Sequence, residues 1–190
     1  MVLIAGSMAI LPQNVISLLT SGVASAVFML AIGFGLGHLV QGVGNLVEWC
    51  FWKPWRGRPT DWLRLDDQRC FDRGWRGKIL YCFGIVPDHE VESKEWDGYV
   101  RRIIEAVTGP ADGHRRLLVF NGNYGLFRGL ATVFLLLIPI NLVFGSINWI
   151  QIGLLLMLTC ISFFRMYRFG IYYAKTLFAS FINMKEHVIG

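Results

Sequence analysis

From Met1 to Val47 the chain carries no Lys, Arg, Asp or Glu, and two further apolar runs, Ala131 to Phe144 and Ile150 to Phe164, lie in its second half. None of the three alternates with the period of a strand, and each is too evenly apolar for a surface helix. A helix needs about 20 such residues to cross roughly 30 Å of hydrocarbon. The pattern therefore predicts a first transmembrane helix over residues 15–48. A second covers 117–144, including a cytoplasmic extension, and a third covers 149–168. Residues 1–14 are apolar but break at Pro12-Gln13-Asn14. They read as an interfacial segment or the remnant of a spanning helix. A fourth span over residues 2–19 would leave the remaining reading unchanged.

Between the first two spans the pattern changes. Trp49, Phe51, Trp52 and Trp55 are interleaved with Lys53, Arg56 and Arg58, an aromatic belt followed by the basic residues of an inner membrane face. Pro54, Gly57 and Pro59 make the start of this section irregular. Lys78 to Val86 is a short apolar run, strand or buried helix. Ser93 is placed to cap a helix that runs to Thr108, with Trp96, Tyr99, Val100, Ile103, Ile104 and Val107 on one face. Residues 49–116 thus form a small, mainly helical insert. It is too short for a large core of its own and is expected to pack on a neighbour or on the membrane surface. Residues 169–190 read as an amphipathic cytoplasmic tail. The fold class is an all-α integral membrane protein.

Charge supplies orientation. Hydrophobic residues make up 54% of the 190 and charged residues only 16%, against about a quarter in soluble domains. Thirteen of the 18 basic residues lie between Lys53 and Arg116, and none lies in Gly145–Trp149. This asymmetry puts the insert and the C-terminus in the cytoplasm and the N-terminus outside. The expected partners are the lipid bilayer and further copies of the chain, with a soluble protein or nucleotide signal acting on the insert. Nucleic acid is not expected, because the aromatic and basic cluster sits at a helix exit. The four cysteines, Cys50, Cys70, Cys82 and Cys160, have no CxxC spacing, and reduced thiols are expected. There is no P-loop, HExxH or GxSxG. Asp88-His89-Glu90 are adjacent in sequence and do not point one way, so no metal and no cofactor is expected.

Three polar stripes stand out against the apolar background. His38, Gln41, Asn45 and Glu48 are spaced by three, four and three residues, which places them on one helical face. Asn121, Tyr124 and Arg128 form a second stripe, and Arg165 and Arg168 begin a third that continues to Tyr172 and Lys175. On a spanning helix such stripes face protein or water. Glu48 is the one carboxylate among the spans and their flanks before Glu186, and an interhelical pair with Arg128 is expected. Gly22, Ala26, Gly33 and Gly37 offer a small-residue face for helix packing.

The blocks GHLVQGVGNLVE, FNGNYGLFRGL and RMYRFGIYYAKTLF resemble a family of small bacterial multi-span membrane proteins of uncharacterised activity. In that family's pattern a full spanning helix precedes the GHxxQxxGN block. The resemblance implies a membrane bundle in a bacterial cytoplasmic (inner) membrane and brings no catalytic residues. Function is therefore read from architecture. The first reading is an oligomeric, channel-like or membrane-perturbing effector regulated through its insert, as in antiphage defence. One alternative is an intramembrane enzyme acting on a lipid or isoprenoid phosphate, with His38 and Glu48 as acid–base groups. Another is a membrane anchor for a soluble partner. No catalytic residue is assigned.

Overall fold

The computed structural model describes residues 22–86, 89–109, 115–144 and 148–189. Segment 1–14, Asp88, His114 and residues 145–147 of the turn lie outside the described residues. The elements are α1 (Gly22–Trp52), a 3-10 turn (Lys53–Trp55), α2 (Pro59–Arg64), α3 (Trp75–Cys82), α4 (Ser93–Thr108), α5 (Arg115–Phe144) and α6 (Trp149–Ile189). All regular structure among the described residues is helical. Helices α1, α5 and α6 are each long and apolar enough to cross a membrane. The chain divides into two compact units, residues 1–43 and 44–190, with the boundary inside α1.

In the first unit the exposed surface of α1 is mostly apolar. Val27, Met29, Leu30, Phe34, Leu36 and Leu39 are all exposed on several faces, with His38 and Gln41 the exposed polar side chains near its end. A Cβ added at Gly22, Gly33 or Gly37 would meet nothing within 4 Å, and Ala26 is exposed. The expected small-residue face is therefore open within a single chain.

In the second unit α5 and α6 lie side by side, with Phe127 stacked on Phe169 at 5.6 Å and Phe120 5.7 Å from Tyr172. Helix α6 runs unbroken to Ile189, so the expected third span and the expected tail are one helix. Its later part is the centre of the only large core among the described residues. Ala174, Leu177, Phe178, Phe181 and Ile182 are buried beneath α2, α3 and α4, each of which packs on α6. Phe178 lies 5.5 Å from Phe71 and 6.1 Å from Trp96. Burying side chains of this size is worth about 1.5–3 kcal/mol each. The insert is stable because it borrows this helix, as its short length required.

Local sequence explains the insert's elements. In α4 the apolar face is buried at Trp96, Ile103 and Val107 and half-buried at Tyr99, Val100 and Ile104. Ser93 is the first helical residue, and Glu92 occupies the cap position without a side-chain capping bond. The ambiguous run Lys78–Val86 is helical as far as Cys82, with Ile79 and Leu80 fully buried. Burial also pushes the Cys70 thiol up to about 11.

The turn out of α1 is tightly specified. Arg56 and Gly57 both adopt positive φ, 62° and 108°. The Gly57 N–H returns to the Trp52 carbonyl at 3.2 Å. The buried Trp62 indole N–H donates to the Trp55 and Gly57 carbonyls, both at 3.0 Å. A Cβ at Gly57 would lie 2.7 Å from Asp61 Oδ2, which itself accepts from the Arg58 backbone N–H at 2.8 Å. Glycine is required here both by conformation and by space.

Candidate functional site

The last two turns of α1 lie in the second unit and run antiparallel to the middle of α5, joined by three rungs. Gly44 faces Thr132, Glu48 faces Arg128, and Trp52 faces Tyr124. Each step of four residues along α1 is matched by a step of four back along α5, the repeat of one helical face.

The first rung is steric. A Cβ at Gly44 would come within 3.3 Å of Thr132 Oγ1 and 3.7 Å of Arg128 Cγ, so glycine is what lets the two helices close on each other. Thr132 turns its hydroxyl inward and donates to the Arg128 carbonyl at 2.9 Å, which satisfies it without a partner on α1.

The second rung is ionic. Glu48 has a side chain only 7% exposed, and Arg128 Nη1 donates to its Oε2 at 2.6 Å. This is the interhelical pair the sequence led us to expect. A second guanidinium, unexpected from sequence, completes it: Arg58 Nε lies 3.3 Å from Glu48 Oε1, on a side chain 69% exposed. Each carboxylate oxygen thus has its own arginine. Charge-assisted bonds of this kind offset the cost of keeping a carboxylate away from water. Arg58 reaches Glu48 because the Arg56–Gly57 turn folds the chain back toward the end of α1.

The third rung is aromatic. The Trp52 indole N–H donates to the Tyr124 hydroxyl at 2.9 Å, and Trp52 is 2% exposed. Helix α6 closes on this rung at Gly170, where a Cβ would meet Trp52 Cζ2 at 3.2 Å and Tyr124 Cε2 at 3.3 Å. Tyr167 stacks on Trp52 at 5.7 Å, and Phe163 stacks on Phe51 at 5.0 Å. The end of α1 is therefore held against the middles of α5 and α6 by a knot of aromatic rings beside the Glu48 ion pair.

Of the nine stripe residues, the structure brings together Glu48, Tyr124 and Arg128. Asn45, Asn121, Arg165 and Arg168 are exposed, with Arg168 donating to Tyr172 at 2.6 Å and lying over the Phe164 and Tyr172 rings. His38 and Gln41 are exposed in the first unit, the His38 ring edge-on to Phe34 at 4.5 Å. Sequence reasoning missed Arg58, Trp52, Gly44 and Gly170. For Gly44 and Trp52 a signal existed: they stand four residues either side of Glu48, and Tyr124 and Thr132 stand four either side of Arg128.

Beside the knot is a cleft of about 830 Å³ between the turn out of α1 and helix α4. Lys53, Arg56, Arg58 and Arg101 line it together with Trp49, Asp61 and Asp97. No group of three or more His, Cys, Asp or Glu among the described residues is placed to hold a metal ion. No protein-family model, curated protein or solved structure matches this chain.

Proposed function

We propose that the protein is a three-span membrane protein that works as a self-associating, channel-like or membrane-perturbing effector, with its insert in the cytoplasm acting as the regulatory part. The observation that carries this reading is the first unit's stretch of α1. Exposed Val27, Met29, Leu30, Phe34, Leu36 and Leu39 surround it, and open small-residue positions at Gly22, Gly33 and Gly37 lie among them. In water so much apolar surface would drive aggregation. In a bilayer it is satisfied by lipid, and the glycines permit a second copy to approach closely. Thirteen basic residues in the Lys53–Arg116 section support a cytoplasmic insert. The knot at Glu48 holds the insert's first turn and the inner ends of the spans together, so a change at the insert is felt by the bundle.

The enzyme reading draws less support. Both oxygens of Glu48 are engaged by arginines, which leaves neither free to act as the base that mechanism asks of it. The test has two parts. Ser93→Cys should resist a membrane-impermeant maleimide in intact cells, and Ser146→Cys should react. Crosslinking in membranes should give a ladder that weakens in the Gly33→Leu, Gly37→Leu double variant. The opposite labelling pattern sinks the orientation, and an unchanged ladder sinks the proposed interface.

A further inference from the structure

We propose that the cleft between the turn out of α1 and helix α4 binds a phosphate group, and that its occupant is the head group of an anionic phospholipid. The site is built from two directions. The turn supplies Lys53, Arg56 and Arg58, and α4 supplies Arg101 from the opposite wall. Against these four cations stand two carboxylates. One of them, Asp61, is committed to the Arg58 backbone N–H at 2.8 Å.

The cations are not consumed by the protein. Among the described residues Lys53, Arg56 and Arg101 are in no ion pair, while Arg58 lies 3.3 Å from Glu48. Lys53 is held over the Trp49 ring at 5.1 Å, which fixes an ammonium group at the rim. Arg56 is held by its left-handed backbone at the tip of a turn that Trp62 and Gly57 brace from below. Such positive-φ positions in a bulky residue are sparsely populated and occur preferentially at ligand clamps. A volume of about 830 Å³ accommodates a head group with its hydration water.

Position favours a lipid over a free phosphate. The cleft opens where the apolar part of α1 ends, and Trp49 on its wall is 61% exposed. That is the arrangement of an aromatic anchor at the head-group level, with basic groups just beyond it. This choice of source rests on the membrane placement proposed above. The cation-lined cleft does not rest on it.

Arg58 gives the site a consequence. It lines the cleft and is also the exposed partner of buried Glu48. A phosphate in the cleft competes for the guanidinium that now shares the Glu48 carboxylate, so occupancy is coupled to the knot joining the three long helices.

The experiment uses the full chain in dodecyl maltoside, with binding read by native mass spectrometry and by quenching of tryptophan fluorescence. Probes are dioleoyl phosphatidylglycerol, dioleoyl phosphatidylcholine and glycerol 3-phosphate. Phosphatidylglycerol should be retained in preference to phosphatidylcholine. The Lys53→Gln, Arg101→Gln variant should lose roughly twenty-five-fold in affinity, about fivefold per cation. Neither side chain has a hydrogen-bond partner among the described residues, so folding is spared. Arg102→Gln, also exposed on α4 but outside the cleft, should bind as the parent does. Tight binding of glycerol 3-phosphate would keep the site and change the source to a free phosphate. Equal retention of the two lipids with no binding of glycerol 3-phosphate would overturn the proposal. So would equal weakening by the double variant and by Arg102→Gln, which would assign the effect to diffuse charge. The maleimide labelling described above reports on membrane orientation independently of all these outcomes.

Discussion

Helix α6 carries large apolar side chains from one end to the other, yet those at its two ends live in different surroundings. Near its start Trp149, Ile150, Leu154, Leu156 and Met157 are half-exposed or more, with Ile150 at 82%. Past Met166 the same helix buries Ala174, Leu177, Phe178, Phe181 and Ile182 under the insert. The difference is not in the amount of hydrophobicity but in what covers it. One end is covered by protein and behaves as a globular core. The other is left uncovered; in the bilayer proposed for it, helix contact brings no hydrophobic gain and packing alone holds neighbours together. Between the two ends, Gly170 and Tyr167 meet the aromatic and ionic knot of α1 and α5.

That contrast can be broken by substitution. The largest effect is expected in the covered end: Phe178→Ala or Trp96→Ala should destabilise the protein by about 3–5 kcal/mol, read as a lowered melting temperature in detergent. Leu154→Ala at the uncovered end should cost less than about 1 kcal/mol, since the removed atoms touch lipid or detergent rather than a packed core. Comparable losses at both ends would erase the distinction.

A smaller effect separates two sets of glycines. Gly44→Leu and Gly170→Leu force side chains into contacts already at 3.2–3.3 Å for a Cβ, and overpacking of this kind costs about 1–3 kcal/mol. Gly33→Leu and Gly37→Leu meet open space in the single chain, and should leave monomer melting unchanged while weakening the crosslinked oligomer. Equal melting losses for all four would contradict the structure.

The smallest effect concerns Cys70. Burial raises its thiol from 9.0 to about 11, so the folded state favours the neutral form. Its contribution to stability is fully present below pH 9 and is lost as pH rises from there through about 11. Alkylation at pH 8 should be slow in the folded protein and fast after urea unfolding. Rapid folded-state labelling at Cys70 would show that the thiol is not buried.

The sequence made the helical architecture and one rung of the knot legible, each for a physical reason. Three long apolar runs admit few structures besides helices. Glu48 was conspicuous as a lone carboxylate with arginines at matching depth, and its pairing with Arg128 followed from the cost of leaving it alone. Arg58 was not legible, because its approach depends on a turn through two positive-φ residues, and helical periodicity says nothing across such a turn. The glycines divide into two kinds. Gly33 and Gly37 carry the recognised spacing, yet Gly44 and Gly170 are the ones with helices against them, and only the positions of neighbouring backbones separate the two kinds. The tail of α6 buries one face at Ala174, Leu177, Phe178, Phe181 and Ile182, as an amphipathic segment should, but nothing in its composition says what covers that face.

The central claim is that Glu48 and Arg128 fasten α1 to α5, and a double-mutant cycle tests it most directly. Glu48→Gln, Arg128→Gln and the double variant are purified in detergent and their unfolding free energies compared. Each single change leaves a charge facing a lost partner and should cost about 2–4 kcal/mol, somewhat below a fully buried pair because Arg58 reaches solvent. The double variant should cost less than the sum, with a coupling of at least about 1 kcal/mol. The swap Glu48→Arg with Arg128→Glu should restore only part of the stability, because it sets a new guanidinium against Arg58. Silent single variants, or effects that add without coupling, would contradict the fastening and return Glu48 to the role of a surface charge.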